Sequence, residues 1–428
     1  MGVGLLLFGL LIVFLLCGFP IAVCIGGASV FTFMQAGLPL QNFISKFYAN
    51  INSFTLMAVP FFMFAGALMS TGGMSKRLVR LARAFVGWMS GGLAHVVIIA
   101  SAFFAALSGS APATCAAIGG MMIPEMKKNG YPAEFSAAVQ CVAGTIGTII
   151  PPSIPMVVYS ISAGCSVGAM FAAGFLPGIL YAICLMGYSA WVCKKEGIGK
   201  ESYQVFTWAE VWAAFKDAIW ALLVPIIILG GIYSGIFTPT EAGAVAAVYG
   251  LFAGVVIYRE LKFKDVINVL IDSAANTSMV LLIIGVAGAF SWLLTITGVA
   301  AGVGNFFTTV ATNRITFMLM AILLMLFMGC FMECCASILI ITPLLLPVAQ
   351  SLGIDPIHFG IVVVMTLSLG MATPPVGEDL YISASIAGIK FETMLKYAVP
   401  LMFMALIAVL VTALIPAFPM LLPHLFYG

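Results

Sequence analysis

The sequence predicts an all-α polytopic membrane protein built from two inverted-topology repeats. Three observations carry that prediction: a composition too apolar for water, a set of prolines recurring at one fixed spacing, and basic residues concentrated on one side. Of 428 residues, 63% are hydrophobic and 7% charged, with mean hydropathy +1.19. A soluble domain carries roughly 25% charged residues. Apolar stretches of about 20 residues, enough to cross a hydrocarbon core of roughly 30 Å, recur from end to end. The longest polar stretch runs only from about Cys193 to Asp217, which leaves no room for a soluble domain. Net charge +2 gives no footprint for nucleic acid. Ten cysteines lie scattered in apolar runs without CxxC or Cys/His metal spacing, and read as small buried hydrophobes.

The repeat orders the elements. A shift of 223 residues lays Pro124 on Pro347, Gly130 on Gly353, Gly147 on Gly370, Pro151 and Pro152 on Pro374 and Pro375, and Pro177 on Pro400. Ser160 and Ser162 fall on Ser383 and Ser385 in the same register. The first repeat, 1–193, is predicted to hold crossings at about 3–18, 20–36, 52–72, 134–165 and 168–192. Its opening stretch, MGVGLLLFGLLIVFLL, has no basic n-region or small-x-small cleavage site and is expected to stay as a span. A cytoplasmic connector over 194–217 follows. The second repeat, 218–428, is predicted to hold crossings at about 218–236, 240–258, 275–297, 357–388 and 392–424.

Two segments are left over, at about 92–122 and 315–349. Each carries small or polar residues at mid-length, Ser108-Gly109-Ser110-Ala111-Pro112 in one and Glu333-Cys334-Cys335-Ala336-Ser337 in the other. Each is predicted to be a re-entrant hairpin of two half-length helices. Gln41–Asn50, Ser75–Met89 and Trp208–Asp217 have helical periodicity without spanning length, and are expected to lie in the interface or to dock another subunit.

An odd number of crossings per half inverts the second against the first, and basic residues mark the cytoplasmic side. Lys76, Arg77, Arg80, Arg83, Lys127 and Lys128 flank the first hairpin, whereas the second is flanked by Arg314, Asp355 and His358. Lys194, Lys195, Lys200, Lys216, Arg259, Lys262, Lys264, Lys390 and Lys396 then all fall inside, Lys46 and Arg314 fall outside, and both termini are predicted to be exterior.

The crossings 134–165 and 357–388 are each interrupted by a proline pair four residues after a glycine. Such a pair removes two backbone donors and clashes with the preceding turn. Carbonyls freed in lipid cost several kcal/mol each unless they line a cavity or hold an ion. Two such breaks at corresponding positions of an inverted repeat are the pattern of an ion and substrate site near the midplane of a secondary transporter. The candidate Na⁺ ligands are hard oxygens: Ser108, Gly109, Ser110, Thr145, Gly147 and Ile150 in the first half, and Glu333, Cys334, Thr366, Gly370 and Thr373 in the second. The helices restart at Ser153 and Val376, where backbone N–H groups suit an anion. Ser108, Ser110, Ser153, Glu333, Val376 and Gly377 are therefore candidate substrate contacts, with Pro151, Pro152, Pro374 and Pro375 as the helix breakers.

The stretches SGSAPAT-x-AAIGGMMIPEM-x₃-GY, PTEAGAVAAVYG, ITPLLLPVA-x₂-LGIDPIHFGIV and ATPPVGEDLY resemble those of the large (M) subunit of TRAP transporters, the tripartite ATP-independent periplasmic family. The resemblance spans the chain. It implies a Na⁺-driven importer of organic acids in a bacterial inner membrane. It also implies an elevator mechanism, a small four-helix (Q) membrane subunit as a separate chain, and a periplasmic substrate-binding (P) protein. Na⁺ is the coupling ion and no cofactor is expected. The family pattern has Asp at the second hairpin tip, where this chain has Glu333 beside Cys334-Cys335. The hydroxyls of Ser108, Ser110 and Ser153 suit a polyhydroxylated substrate and favour sialic acid over a C4-dicarboxylate.

Thr238-Pro239-Thr240-Glu241 has the form of a capping box with proline at N1, so Glu241 reads as a helix start rather than a proton carrier. Glu378 and Asp379, in the first turn of a half-helix, read as dipole complements. The alternatives to a transporter are a passive channel or scaffold subunit, and an intramembrane serine hydrolase using Ser108 or Ser110 with His95 as base.

Overall fold

A computed structural model describes residues 2–199, 206–299, 302, 307, 310 and 313–427, and among these every regular element is a helix. Residues 200–205 of the predicted connector, Lys200 included, lie outside the described residues.

The chain opens with two apolar helices, Gly2–Leu16 and Ile21–Gln35, parted by Gly18 and Pro20. They pack with the long helix Phe263–Ile296 around Leu7, Leu11, Ile25, Phe33, Phe290 and Leu293. Leu40–Ile51 lies across this group with no buried residue of its own, fixed by Asn50 Nδ2 donating to Ile284 O at 2.8 Å. Ala58–Thr71 packs along Pro239–Phe252, two helices rich in alanine and glycine. Lipid gives apolar side chains no drive to leave it, so close approach of small residues is what holds such helices together.

Inside this jacket sit two hairpins and two broken helices. The first hairpin is Gly92–Ser108 with Ala111–Lys128; the second is Arg314–Gly329 with Cys334–Ser351. Their arms run 17, 18, 16 and 18 residues, about 25 Å each. They are thus nearly full-length rather than half-length, and extend past the predicted ends at 122 and 349. The first broken helix is Ala133–Gly144, a 3₁₀ turn Thr145–Thr148, and Ile154–Ala163; the second is Pro356–Met371 and Glu378–Ala387. Each hairpin packs on the leading part of its own broken helix. The trailing parts are exchanged: Ile154–Ala163 lies on the second hairpin, and Glu378–Ala387 lies on the first. One large apolar core therefore runs through both halves.

Two sequence expectations are corrected. Trp208–Asp217 is not a separate interfacial helix but the start of a continuous helix, Trp208–Tyr233. No glycine or proline stands before Pro225 to stop it, and alanine carries the helix through. The last crossing is two helices, Phe391–Leu414 and Ala417–Tyr427, because Pro416 cannot continue the first.

Of the basic residues assigned to one side, Arg77, Arg80, Arg83 and Lys127 are tied to acidic or carbonyl groups of neighbouring elements. Arg77 bonds Glu260 at 2.7 Å and Asp217 at 3.2 Å, and Arg80 bonds Glu210 at 3.0 Å. Arg83 reaches Glu125 at 3.3 Å, and Lys127 donates to Ala387 O at 2.9 Å. The two exceptions sit elsewhere with partners of their own: Lys46 over the Trp292 ring, and Arg314 against the His358 ring at 3.2 Å.

Candidate functional site

The first hairpin turns on Gly109, whose φ of +61° is a left-handed conformation that glycine adopts without strain. Gly109 N donates to Ala105 O at 2.9 Å and closes the first arm. Ser110 caps the second arm, accepting from Ala113 N at 3.5 Å, while Ser110 O accepts from Thr114 Oγ1 at 2.8 Å. Ser108 Oγ pairs with Thr114 Oγ1 at 3.0 Å. The tip is stitched to the break: Gly109 O accepts from Ile154 N at 3.1 Å, one of the N–H groups that a helix start leaves without an internal partner.

The break itself tightens through Thr145–Thr148 and passes a cis Pro151–Pro152 bond to Ser153. Ser153 Oγ donates to Thr148 O at 2.6 Å and accepts from Met156 N at 3.4 Å. Gly147 faces Ser110 O and the Thr114 hydroxyl so closely that no side chain fits there. Thr145 turns away, donating to Val142 O at 2.7 Å and pairing with Tyr181 OH at 2.7 Å. Ile150 is buried and covers Gly178.

The second half repeats the path with other groups. Its tip spans Cys330 to Glu333, and the Glu333 carboxylate caps the next arm by accepting from Ala336 N at 3.1 Å. Gly370 lies against Gly329, where a Cβ on Gly329 would stand 2.9 Å from Gly370 Cα. After a cis Pro374–Pro375 bond the helix restarts at Gly377, which caps with no side chain and whose N–H donates to Thr373 O at 3.2 Å. Thr373 Oγ1 donates to Leu369 O at 2.8 Å and Thr366 Oγ1 to Val362 O at 2.6 Å, so both hydroxyls serve their own helix. Val376 is 46% exposed, and Cys334 is buried.

Sequence reasoning missed the links between halves. Thr148 Oγ1 hydrogen-bonds Ser368 Oγ, and Cys334 Sγ lies 3.9 Å from the same oxygen. Cys115 Sγ pairs with Ser383 Oγ at 3.0 Å. The repeat register held a signal for one of these, because Ser368 falls on Thr145. Glu241 does form the predicted capping box, accepting from Thr238 N at 2.8 Å.

The site therefore presents backbone carbonyls, hydroxyls and helix starts around two tips, with a carboxylate at one of them. A Ser–His dyad does not form. His95 bonds Ser90 O at 3.0 Å and lies 13 residues before Ser108 on one helix, about 20 Å along its axis.

Paired hairpins on broken helices, inside a jacket of spans, define a multi-pass membrane transporter. The fold is similar to the YdaH transporter of Alcanivorax borkumensis, with TM-score 0.64 and 14% identity over 88% of each chain. Residues 8–418 match the family model described as "Tripartite ATP-independent periplasmic transporter, DctM component", and the chain belongs to that family as a large permease subunit. It is 43% identical to the isethionate TRAP transporter permease protein DctMQ of Oleidesulfovibrio alaskensis over 97% of this chain. The chain spans 65% of that relative's length. It is 40% identical to the C4-dicarboxylate large permease protein DctM of Pseudomonas aeruginosa, over 89% of this chain and 88% of that one. It is 38% identical to the sialic acid large permease protein SiaM of Vibrio cholerae, again over 89% and 88%.

Proposed function

We propose that this chain moves an organic acid anion, coupled to Na⁺, across a bacterial inner membrane. The observation that carries the proposal is the meeting of each hairpin tip with its own helix break: Gly109 O on Ile154 N, and Gly329 on Gly370. A regular helix in lipid spends every backbone group on itself. Here carbonyls and N–H groups are instead gathered at two tips. The donors are hard oxygens, which suit an alkali cation. Among the described residues no group of three or more His, Cys, Asp or Glu could hold a metal ion. Ser108, Gly109, Ser110, Gly147 and Ile150 would supply one Na⁺ position, and Glu333, Gly370 and Thr373 another, while the half-helix starts at Ser153 and Gly377 face the anion.

The hairpins and broken helices form the moving unit of an elevator, and the remaining spans its scaffold. A separate small membrane subunit and a periplasmic binding protein complete the system, with both termini of this chain on the periplasmic side. Relatives named for isethionate, C4-dicarboxylates and sialic acid have in common an anionic head group. The hydroxyls expected to favour sialic acid are engaged in this conformation: Ser108 Oγ with Thr114, and Ser153 Oγ with Thr148 O. Preference for sialic acid over a C4-dicarboxylate therefore requires a movement that frees them.

The test is counterflow of labelled sialic acid against labelled succinate in proteoliposomes holding the chain and its partner subunits, with Na⁺ varied. Accumulation that needs both a Na⁺ gradient and the binding protein supports the proposal. Flux that ignores the gradient identifies a passive channel and sinks it.

A further inference from the structure

Asp379 stands in the first turn of Glu378–Ala387, is 0% exposed, and neither of its carboxylate oxygens has a hydrogen-bond partner. It is pressed between two elements of the first half, the hairpin arm Ala111–Lys128 and the helix Ala133–Gly144. From the arm, Cys115 brings its Sγ to 3.7 Å from Asp379 O and 3.0 Å from Ser383 Oγ. From the other helix comes the buried thiol of Cys141, while Gln140 beside it gives its Nε2 to Thr114 O at 3.5 Å; a further titratable group nearby is the buried Tyr181 hydroxyl, paired with Thr145 at 2.7 Å. Gln140 is also 0% exposed, and its Oε1 is also without a partner. The charged neighbour on the same helix, Glu378, is exposed. Lys127, on the hairpin arm, gives its Nζ to Ala387 O, about 12 Å along the helix from Asp379. The ion pairs among the described residues do not include Asp379.

An ionised carboxylate held in apolar surroundings without a donor or counter-ion is costly by several kcal/mol or more. Neither Asp379 oxygen has a hydrogen-bond partner, and a cation there would need several further oxygen ligands of its own. A single proton removes the charge and needs no shell. We infer that Asp379 is a proton-binding site of this carrier, present as the neutral carboxylic acid while Glu378–Ala387 is seated against the first hairpin. Binding converts the carboxylate to the acid by uptake of one proton from water, and release returns it. This proton is distinct from the Na⁺ positions at the hairpin tips, and the inference holds whichever anion is carried.

Infrared spectroscopy on the purified full chain near neutral pH tests it. The wild type should show the carbonyl stretch of a protonated carboxylic acid, shifting on exchange into D₂O. Asp379→Asn should lose that band, while Glu378→Gln and Glu333→Gln should keep it. If Asp379→Asn does not fold, the two glutamine variants still decide: a band kept by both supports the assignment, and a band lost from either overturns it. A wild type without the band overturns it as well. So does a band that appears only when Na⁺ is withdrawn, since Na⁺ rather than a proton would then occupy the carboxylate.

Discussion

The first hairpin turns in two residues, Gly109 and the serine cap Ser110, whereas the second takes four, Cys330 to Glu333, the last a carboxylate cap. After the breaks the difference runs the other way. The first half-helix starts on Ser153, whose hydroxyl bonds Thr148 O, while the second starts on Gly377 with no side chain to offer. The path of the backbone is what the two halves share, down to a proline pair and a glycine in close contact. The polar groups placed along that path are exchanged. One end of the site thus offers a carboxyl group and the other only hydroxyl and carbonyl oxygens, and the two ends are expected to bind a cation unequally.

The largest effect should come from filling the glycine contacts. Gly370→Val puts a branched side chain against the backbone of Gly329 and Cys330, which cannot move aside, and overpacking of this kind costs about 1–3 kcal/mol or more. Uptake and the folded yield by size-exclusion chromatography should both collapse. Gly147→Val, against Ser110 O and the Thr114 hydroxyl, should do the same. Tolerance at one position and not the other would break the equivalence of the two breaks.

Removing the tip groups sharpens the comparison. Glu333→Ala deletes a 3.1 Å cap and Ser110→Ala a 3.5 Å one, so the former should lower stability more, by about 1 kcal/mol. In uptake assays Glu333→Ala and Ser108→Ala are expected to raise the Na⁺ concentration required. An unchanged Na⁺ dependence in both would remove the ligand assignment.

Glu241→Ala should act on stability alone, because it opens a capping box whose counterpart in the first half, Ile21–Gln35, starts on Pro20 with no side-chain cap. Thermal midpoint should fall and Na⁺ dependence should stay.

The smallest effect concerns the contacts that tie the halves together. The Arg77 guanidinium, followed by Lys76, holds the Glu260 carboxyl below its usual range. Its contribution is therefore whole above about pH 4.3, the ordinary glutamate value, and is lost as pH falls below it. For a pair this open to solvent that contribution is under about 1 kcal/mol. Glu260→Gln should lower the thermal midpoint at neutral pH by the equivalent of that amount and leave it unmoved at the acid extreme, so that the fall in acid becomes shallower.

Much of the helical layout was legible because lipid makes the rules strict: apolar length gives spans, and a proline pair must break one. The boundaries that failed are instructive. Trp208–Asp217 is polar enough to look like a surface helix, but polarity says where a segment lies and not where its hydrogen-bond ladder stops. At the other end Pro416 was a visible stop that length alone overrode. At the candidate site, the residues along the proline breaks were legible, while the Thr148–Ser368 and Cys115–Ser383 contacts were not. Those pairs are separated by 220 and 268 positions; the exchanged half-helix Glu378–Ala387 carries Ser383 to Cys115, while Thr148 and Ser368 meet where the 3₁₀ turn of the first break packs directly on Pro356–Met371.

That exchange also sets an order of assembly. When the first 196 residues have been delivered to the bilayer, Ile154–Ala163 has its first-half neighbours but not its main support, because that surface belongs to the second hairpin. The arm Ala111–Lys128 likewise has Ala133–Gly144 beside it but lacks the contacts of Cys115 with Asp379 and Ser383 until Glu378–Ala387 arrives. Neither half can finish before the other is made. The insertion machinery must therefore keep an unfinished bundle apart from its neighbours for most of the time that synthesis of this chain takes.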